Sequence, residues 1–434
     1  MMKQKMLALL LVLSLALCTA SLTSCVGGVL DLLGGGEKTY SEQELEKIVS
    51  GVLAERDETN FDVNQIIINN DASSNLLAAS KGLLSTVSVY ATFEVRGLSG
   101  FGAFQQIITS EKTGGGAGVI FRMSPEDKVK GDAYVVTNYH VVYNAASTSQ
   151  NKIAKSIKLY LYGMEQERYA MDAEFVGGSM LYDIAVLKVS DSSVLRSATV
   201  LEADFADSDD VTVLETAIAI GNPELSGLSA TVGHVNVDSE YVVMTLADDQ
   251  SQARMRLMRI DTAVNGGNSG GGLYNDRGQL IGIVNAKIVS NDVDNIGYAI
   301  PSNVVRAVAE SVLYYCDGTA SESISRCMIG ITLVSDPESS TYFDAQAGKV
   351  HIVERVTVES VTVGSLADGK IMAGDVLCRI RIGDATHEVT RNYNIVESML
   401  TARVGDTVVV DIVREGVEMQ VEIVITEQAL TAVV

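Results

Sequence analysis

The stretch Asn265-Gly266-Gly267-Asn268-Ser269-Gly270-Gly271-Gly272-Leu273 sets one serine among glycines. Glycine lets a backbone take dihedrals that other residues avoid and turn its N–H groups toward a bound carbonyl. Amide hydrolysis by serine needs a nucleophile beside amides that hold the tetrahedral oxyanion, and this segment could supply both. A flexible linker can also read Gly-Asn-Ser-Gly, but apolar runs from Arg256 to Ile260 and from Leu280 to Val284 bracket this one closely. Serine alone is a poor nucleophile, so a base is required, and the chain has 4 histidines. His140 closes Tyr134-Val135-Val136-Thr137-Asn138-Tyr139-His140, at the end of an apolar run where a rigid scaffold would hold it. His234 follows Thr231-Val232-Gly233, and His351 and His387 lie far toward the C-terminus. Taken alone, a histidine is more often structural than catalytic. The third group must orient an imidazole and stabilise its charged form. Asp183 stands at the mouth of Ile184-Ala185-Val186-Leu187, where an unpaired carboxylate would be costly. Asp172, Asp191, Asp204 and Asp207 sit in more polar settings and read as solvated or turn residues.

The elements that must position these groups are short and β-branched, with glycine breaks. Val87–Tyr90, Gly118–Phe121, Tyr134–Thr137, Ile157–Tyr160 and Ile184–Leu187 have this texture, and it continues through Val211–Val213, Ala217–Ile220, Arg256–Ile260, Leu280–Val284 and Gly297–Ile300. Many short strands bounded by turn residues predict an all-β barrel or sandwich. A helix is expected from Ser302 to Tyr315, and the small, polar residues Cys316 to Ser325 mark a boundary. Beyond it, Val408–Val413, Arg414-Glu415-Gly416 and Met419–Ile425 read as a hairpin with a glycine turn, after an amphipathic stretch from Asn394 to Ala402. Upstream, Ser41 and Glu44 form a capping-box signature ahead of Leu45, Ile48, Val49 and Val52, which predicts a short helix near residues 41 to 55.

Three segments in the order His, Asp, Ser carry a resemblance. Thr137-Asn138-Tyr139-His140-Val141-Val142, Asp183-Ile184-Ala185-Val186-Leu187-Lys188 and Gly267-Asn268-Ser269-Gly270-Gly271 look like the three catalytic motifs of HtrA/Deg serine proteases. Ala219-Ile220-Gly221-Asn222-Pro223 and Gly297-Tyr298-Ala299-Ile300-Pro301-Ser302-Asn303 extend the likeness over roughly residues 83 to 310. It implies a mainly β fold, a chymotrypsin-like double β-barrel over 83–315, with His140 and Asp183 on the first barrel and Ser269 on the second. It also implies an acyl-enzyme mechanism and an oxyanion hole at Gly267, Asn268 and Ser269, donating through the Gly267 and Ser269 amides. Neither metal nor cofactor is implied. Asn268 occupies the place where trypsin-like zymogens keep an aspartate for activation, so control by loop ordering or by peptide ligands is expected instead. A specificity pocket is expected from Ala263, six residues before the serine, with Val264 beside it and Ile283-Val284-Asn285 as a wall. Such a pocket would favour Val, Ile, Ala or Leu before the scissile bond. An alternative within the same family is a latent or protease-inactive chaperone or peptide-binding scaffold.

Residues 327–430 resemble a PDZ-like α+β domain. Met328-Ile329-Gly330-Ile331 is similar to the carboxylate-binding loop of PDZ domains, and Ile371-Met372-Ala373-Gly374-Asp375-Val376-Leu377 to their Lys-Ala-Gly-Asp segment. Such domains add an extended C-terminal peptide to a sheet edge. The usual small-residue pattern is absent from Val361 to Lys370.

At the N-terminus, Lys3 and Lys5 precede an apolar run from Met6 to Cys18, too short for a comfortable span and long enough for a signal peptide. Leu22-Thr23-Ser24-Cys25 then resembles the lipobox of bacterial lipoproteins. It implies a signal over 1–24, lipid on Cys25, a tether with a short helix over 25–82, and an extracytoplasmic place on the cell envelope. An ordinary signal cut near Ala20 or Ser24, or an uncleaved anchor, is the other reading. The remaining Cys316, Cys327 and Cys378 form no disulfide framework, though Cys316 and Cys327 either pair or stay idle. The 434 residues suffice for more than one core, and a formal charge of -23 argues against nucleic acid as a partner. The partners expected are unfolded polypeptides, C-terminal peptides, a membrane through Cys25 and, by family resemblance, further copies of the chain in a trimer.

Overall fold

The described residues all fall within one compact unit, Ala72–Val434. The structure, a computed structural model, describes residues 74–99, 106–286, 296–319, 321–335, 340–345 and 348–433. The expected signal segment, Cys25, the tether and the helix near 41 to 55 lie outside them. Among the described residues no helix is long and apolar enough to cross a membrane.

Helix α1 (Ser74–Ser85) leads into the first barrel, so the fold takes in residues before 83. That barrel comprises β1 (Thr86–Ser99), β2 (Gln106–Arg122), β3 (Ala133–Thr137), β4 (Ser156–Leu161), β5 (Met171–Ser179) and β6 (Ile184–Val189), closed in the order β1-β2-β3-β6-β5-β4. Helix α2 (Tyr139–Val142) follows β3. The second barrel comprises β7 (Thr216–Gly221), β8 (Ser229–Thr245), β9 (Gln252–Ile260), β10 (Gly272–Tyr274), β11 (Leu280–Asn285) and β12 (Gly297–Pro301), closed in the order β10-β11-β12-β9-β8-β7. Val211–Val213, expected as a strand, instead enters a turn in which Leu214 takes a φ of 69°.

The unbroken apolar runs at 184–187 and 280–284 follow from barrel geometry. Alternate residues of a strand face opposite sides, and here both sides are covered. Ala185, Leu187 and Val189 fill the first barrel, while Ile184 and Val186 face a core between the barrels shared with Ile218, Ile220, Tyr274 and Ile283. Ile281 and Val284 likewise fill the second barrel. Helix α1 seals the same seam. Its Ser85 and the following Thr86 each place a hydroxyl 2.9 Å from the Tyr274 phenol, whose pKa burial pushes up to about 12.

Helix α3 (Ser302–Tyr315) forms over the expected residues and packs along this seam. After it come β13 (Ile324–Cys327), β14 (Ile331–Ser335), β15 (Ser340–Asp344), β16 (Lys349–Val353), β17 (Val356–Val361), β18 (Val376–Ile382), β19 (Ala385–Glu388), helix α4 (Asn392–Ser398), β20 (Thr407–Arg414), β21 (Val417–Val424) and β22 (Leu430–Val433). One sheet runs β14-β17-β18-β20-β21, with β14 at its edge. Glu415 and Gly416, with φ of 51° and 84°, make the tight turn between β20 and β21, the conformation that suits a hairpin's twist. The segment near residue 325 is less of a linker than its composition suggests. Strand β22 returns to pair with β13, Ile324 opposite Val433 and Cys327 opposite Leu430. Leu400 and Val433 join the core between the barrels. Cys316, Cys327 and Cys378 are free thiols, so Cys316 and Cys327 do not pair.

Candidate active site

Asp183 occupies a turn between β5 and β6 with φ of 51°, a left-handed conformation that Asp tolerates better than most residues. Its surroundings hold it there. The backbone carbonyl accepts from the Tyr139 N–H at 3.1 Å and from the Asn138 side-chain amide at 2.9 Å. The carboxylate faces the next segment: Oδ1 accepts the His140 backbone N–H at 3.0 Å and Oδ2 lies 2.7 Å from His140 Nδ1. Asn285, at the end of β11, donates its side-chain amide to the same Oδ2 at 2.9 Å. A carboxylate gripped at Nδ1 puts the imidazole proton on that nitrogen and leaves Nε2 as the basic lone pair.

Ser269 lies on the other barrel, in the loop between β9 and β10. Its carbonyl accepts the N–H of Ala117, on β2, at 2.8 Å. Gly116, one residue earlier, lies between the two halves of the site: a Cβ there would meet the Ser269 carbonyl at 2.5 Å and a Val141 methyl at 2.9 Å. Within the loop, Gly270 has φ of 83°, and a Cβ on it would stand 2.1 Å from the Ala117 carbonyl. The hydroxyl of Ser269 accepts the Ala286 N–H at 3.2 Å. That bond uses a lone pair and leaves the hydroxyl proton available. Among the described residues no hydrogen bond joins Ser269 Oγ to His140.

The oxyanion reading narrows. The Asn268 N–H donates to the Asn265 carbonyl at 3.0 Å, so it is not an oxyanion donor. The Gly267 and Ser269 N–H groups have no acceptor among the described residues. Gly267 has φ of 97°, and a Cβ there would stand 2.1 Å from the Asn222 carbonyl.

The expected specificity pocket is corrected more strongly. Ile283 lies in the core between the barrels and Val284 in the second barrel's interior, both without exposure, because alternate positions of β11 point into two different cores. Asn285 is held by Asp183 rather than lining a pocket. Ala263 is exposed, with its carbonyl accepting the Thr231 hydroxyl at 2.9 Å, and Val264 is half-buried against the second core. Of the other histidines, His234 donates its backbone N–H to Asp261 and His351 stacks on Tyr342, both away from the site.

A second concavity, of about 460 Å³, lies along β14 and α4. Met328, Ile329, Gly330 and Ile331 all line it, together with Ile395 and Met399. Tyr241 of β8 and Arg254 of β9 also line it; sequence reasoning missed both, since they stand far upstream of the loop they join.

Comparison with known proteins bears on what this geometry is for. The model of the trypsin-like peptidase domain family matches residues 116–283, a span that holds His140, Asp183 and Ser269. The chain is 31% identical to the serine protease Do-like HtrA of Lactococcus lactis subsp. cremoris (strain MG1363) over 409 residues, 91% of each protein. The chain belongs to the Do-like HtrA serine proteases. It is also 33% identical over 312 residues to the Do-like HtrA of Bacillus subtilis (strain 168), an alignment covering 71% of this chain and 62% of that relative's length. Among solved structures, an HtrA-type protease AlgW with tripeptide is similar in fold, with a TM-score of 0.50 and 21% identity over 82% of this chain and 96% of that one.

Proposed function

We propose that this HtrA protein is an extracytoplasmic endopeptidase that cleaves unfolded or damaged envelope proteins through His140, Asp183 and Ser269. Ser269 Oγ attacks the scissile carbonyl carbon and gives its proton to His140 Nε2. The Gly267 and Ser269 N–H groups stabilise the oxyanion, and His140 passes the proton to the departing amine as the C–N bond breaks. Water, deprotonated by the same imidazole, then hydrolyses the acyl ester and restores the Ser269 hydroxyl. The observation that carries this reading is the two-point hold of Asp183 on His140, through Nδ1 and the backbone N–H at once.

We also take residues 83–315 with α1 as the protease unit and 327–430 as a PDZ-like peptide-binding unit. The edge position of β14 and the separate core of Val356, Ile380, Val410 and Ile412 favour this division. Lipid on Cys25 would anchor the protein to the envelope, and assembly into a homo-oligomer is expected of the family. The test is digestion of casein by wild type and His140→Ala. Loss of cleavage in the variant, with unchanged circular dichroism, supports the reading; undiminished cleavage would exclude His140 as the base.

A further inference from the structure

We infer that the groove along β14 is a composite site, completed by the second barrel, whose ligands carry an acidic side chain in addition to a free C-terminal carboxylate. This rests on the reading of residues 327–430 as a peptide-binding unit. Three observations point to the charge of the ligand.

The first is composition. The residues lining the concavity include Arg254 and Arg326 and no aspartate or glutamate. In a chain of 55 acidic and 32 basic residues, a groove lined by two arginines and no carboxylate runs against the overall charge. The second is the state of the two guanidiniums. Arg326 donates from Nη1 to the Tyr182 hydroxyl at 3.3 Å, while its Nε is buried with no hydrogen-bond partner. A buried donor left without an acceptor is unfavourable, and turning that edge of the guanidinium toward a ligand carboxylate would relieve it. Arg254 rests over the Tyr241 ring, its guanidinium carbon 5.2 Å from the centroid, and among the described residues has no carboxylate partner. Arg256, Arg391 and Arg414, in contrast, are each paired to acids. The third is origin. Arg326 precedes the loop Met328–Ile331, where a peptide C-terminus would end, whereas Arg254 comes from β9, paired with Val243 of β8 across the hairpin. A peptide added to the edge of β14 would place its terminal carboxylate toward the loop and Arg326. Its upstream side chains would then pass the hairpin. The apolar lining of Ile329, Leu333, Val396 and Met399 takes aliphatic or aromatic side chains between the two charges.

The experiment uses the full chain carrying Ser269→Ala, so that peptides are not cut, and fluorescein-labelled decapeptides with an apolar C-terminus. One series moves a glutamate through successive positions upstream of the terminus; matched peptides carry glutamine there or an amidated terminus. At one position glutamate is expected to bind about 10-fold tighter than glutamine, as for a close charge pair. That preference should vanish in Arg254→Gln while dependence on the free terminus remains. Glutamate and glutamine peptides binding equally at every position, with amidation still abolishing binding, would overturn the role of Arg254 and leave the peptide-binding reading intact. A preference that survives Arg254→Gln would overturn it too. Failure of every peptide to bind would sink the peptide-binding reading, and this inference with it.

Discussion

Replacing Glu397 by glutamine should abolish a fall in stability that the wild-type protein shows between pH 6 and pH 9. Glu397 lies on α4, against the second barrel, where Arg256 is nearly enclosed with 4% of its side chain exposed. Arg256 Nε stands 2.7 Å from Glu397 Oε1 without an aligned hydrogen bond, and its Nη1 and Nη2 each donate to Asp209 Oδ1 at 3.3 Å. The guanidinium also lies 3.6 Å from the centre of the Tyr393 ring, and Asn394 donates to the second Asp209 oxygen at 2.8 Å. Two carboxylates thus share one cation, with Asp207 adding to the negative side and Arg391 already held by Asp238 and Glu354. Glu397 Oε2 is buried with no donor at all. Burial, outweighing the attraction of Arg256, pushes the Glu397 pKa up to about 8, and burial raises Asp209 as well. A carboxyl whose pKa rises on folding stabilises the protein fully below its ordinary value and loses that contribution as pH climbs through the folded value. A difference of one proton bound changes stability by about 1.4 kcal/mol for each step of one in pH, so the loss between pH 6 and pH 9 is at most about 3 kcal/mol. Urea unfolding followed by circular dichroism, in the Ser269→Ala background, measures it at both pH values. Glutamine mimics the protonated acid, so the variant should match wild type near pH 6 and exceed it near pH 9. Parallel profiles, or a variant weaker by several kcal/mol at pH 6, would refute the protonated carboxyl and imply a fully ionic contact.

Other consequences are as direct. Asn285→Ala removes a hydrogen bond to a charged acceptor, worth about 1.5–3 kcal/mol, and should lower kcat/KM on a peptide substrate roughly 10- to 100-fold with the fold retained. Asp183→Asn should cost about 10⁴-fold in kcat by favouring the wrong imidazole tautomer; a loss below about 100-fold in the same assay would contradict the role given to Asp183. Gly270→Ala forces a Cβ into the Ala117 carbonyl and should yield an inactive, destabilised protein by activity and thermal melt. Gly266→Ala, whose Cβ meets nothing within 4 Å, should remain close to wild type in both.

The barrels were legible in the sequence because strands buried on both faces leave unbroken apolar runs, as at Ile184–Leu187 and Leu280–Val284. The same property hid the faces. A run without polar residues does not say which side chain points into which core, and Ile283 and Val284 were therefore expected in a pocket they do not line. Asn285 was misplaced for a related reason, since an amide at a strand end carries no mark of the carboxylate it meets 102 positions earlier in sequence. Strand β5 and the long β8 were not anticipated. Both mix charged residues and glycines with apolar ones, and their pairing, not their periodicity, makes them strands. His140, Asp183 and Ser269 were readable through motif context, and the first two meet as that context implies. The contacts that join residues 327–430 to the barrels were invisible: Arg256 looks like any β-strand arginine until α4 covers it, and nothing local shows that Val433 returns to Ile324.

If Ser269 is a nucleophile activated by His140, its hydroxyl should react selectively with an electrophilic probe. Reaction of the full chain with a fluorophosphonate, followed by peptide mass mapping, tests it most directly. One covalent adduct is expected, on Ser269, absent from Ser269→Ala and slowed by several orders of magnitude in His140→Ala. An adduct on another serine, or undiminished labelling of Ser269 in the His140 variant, would contradict it.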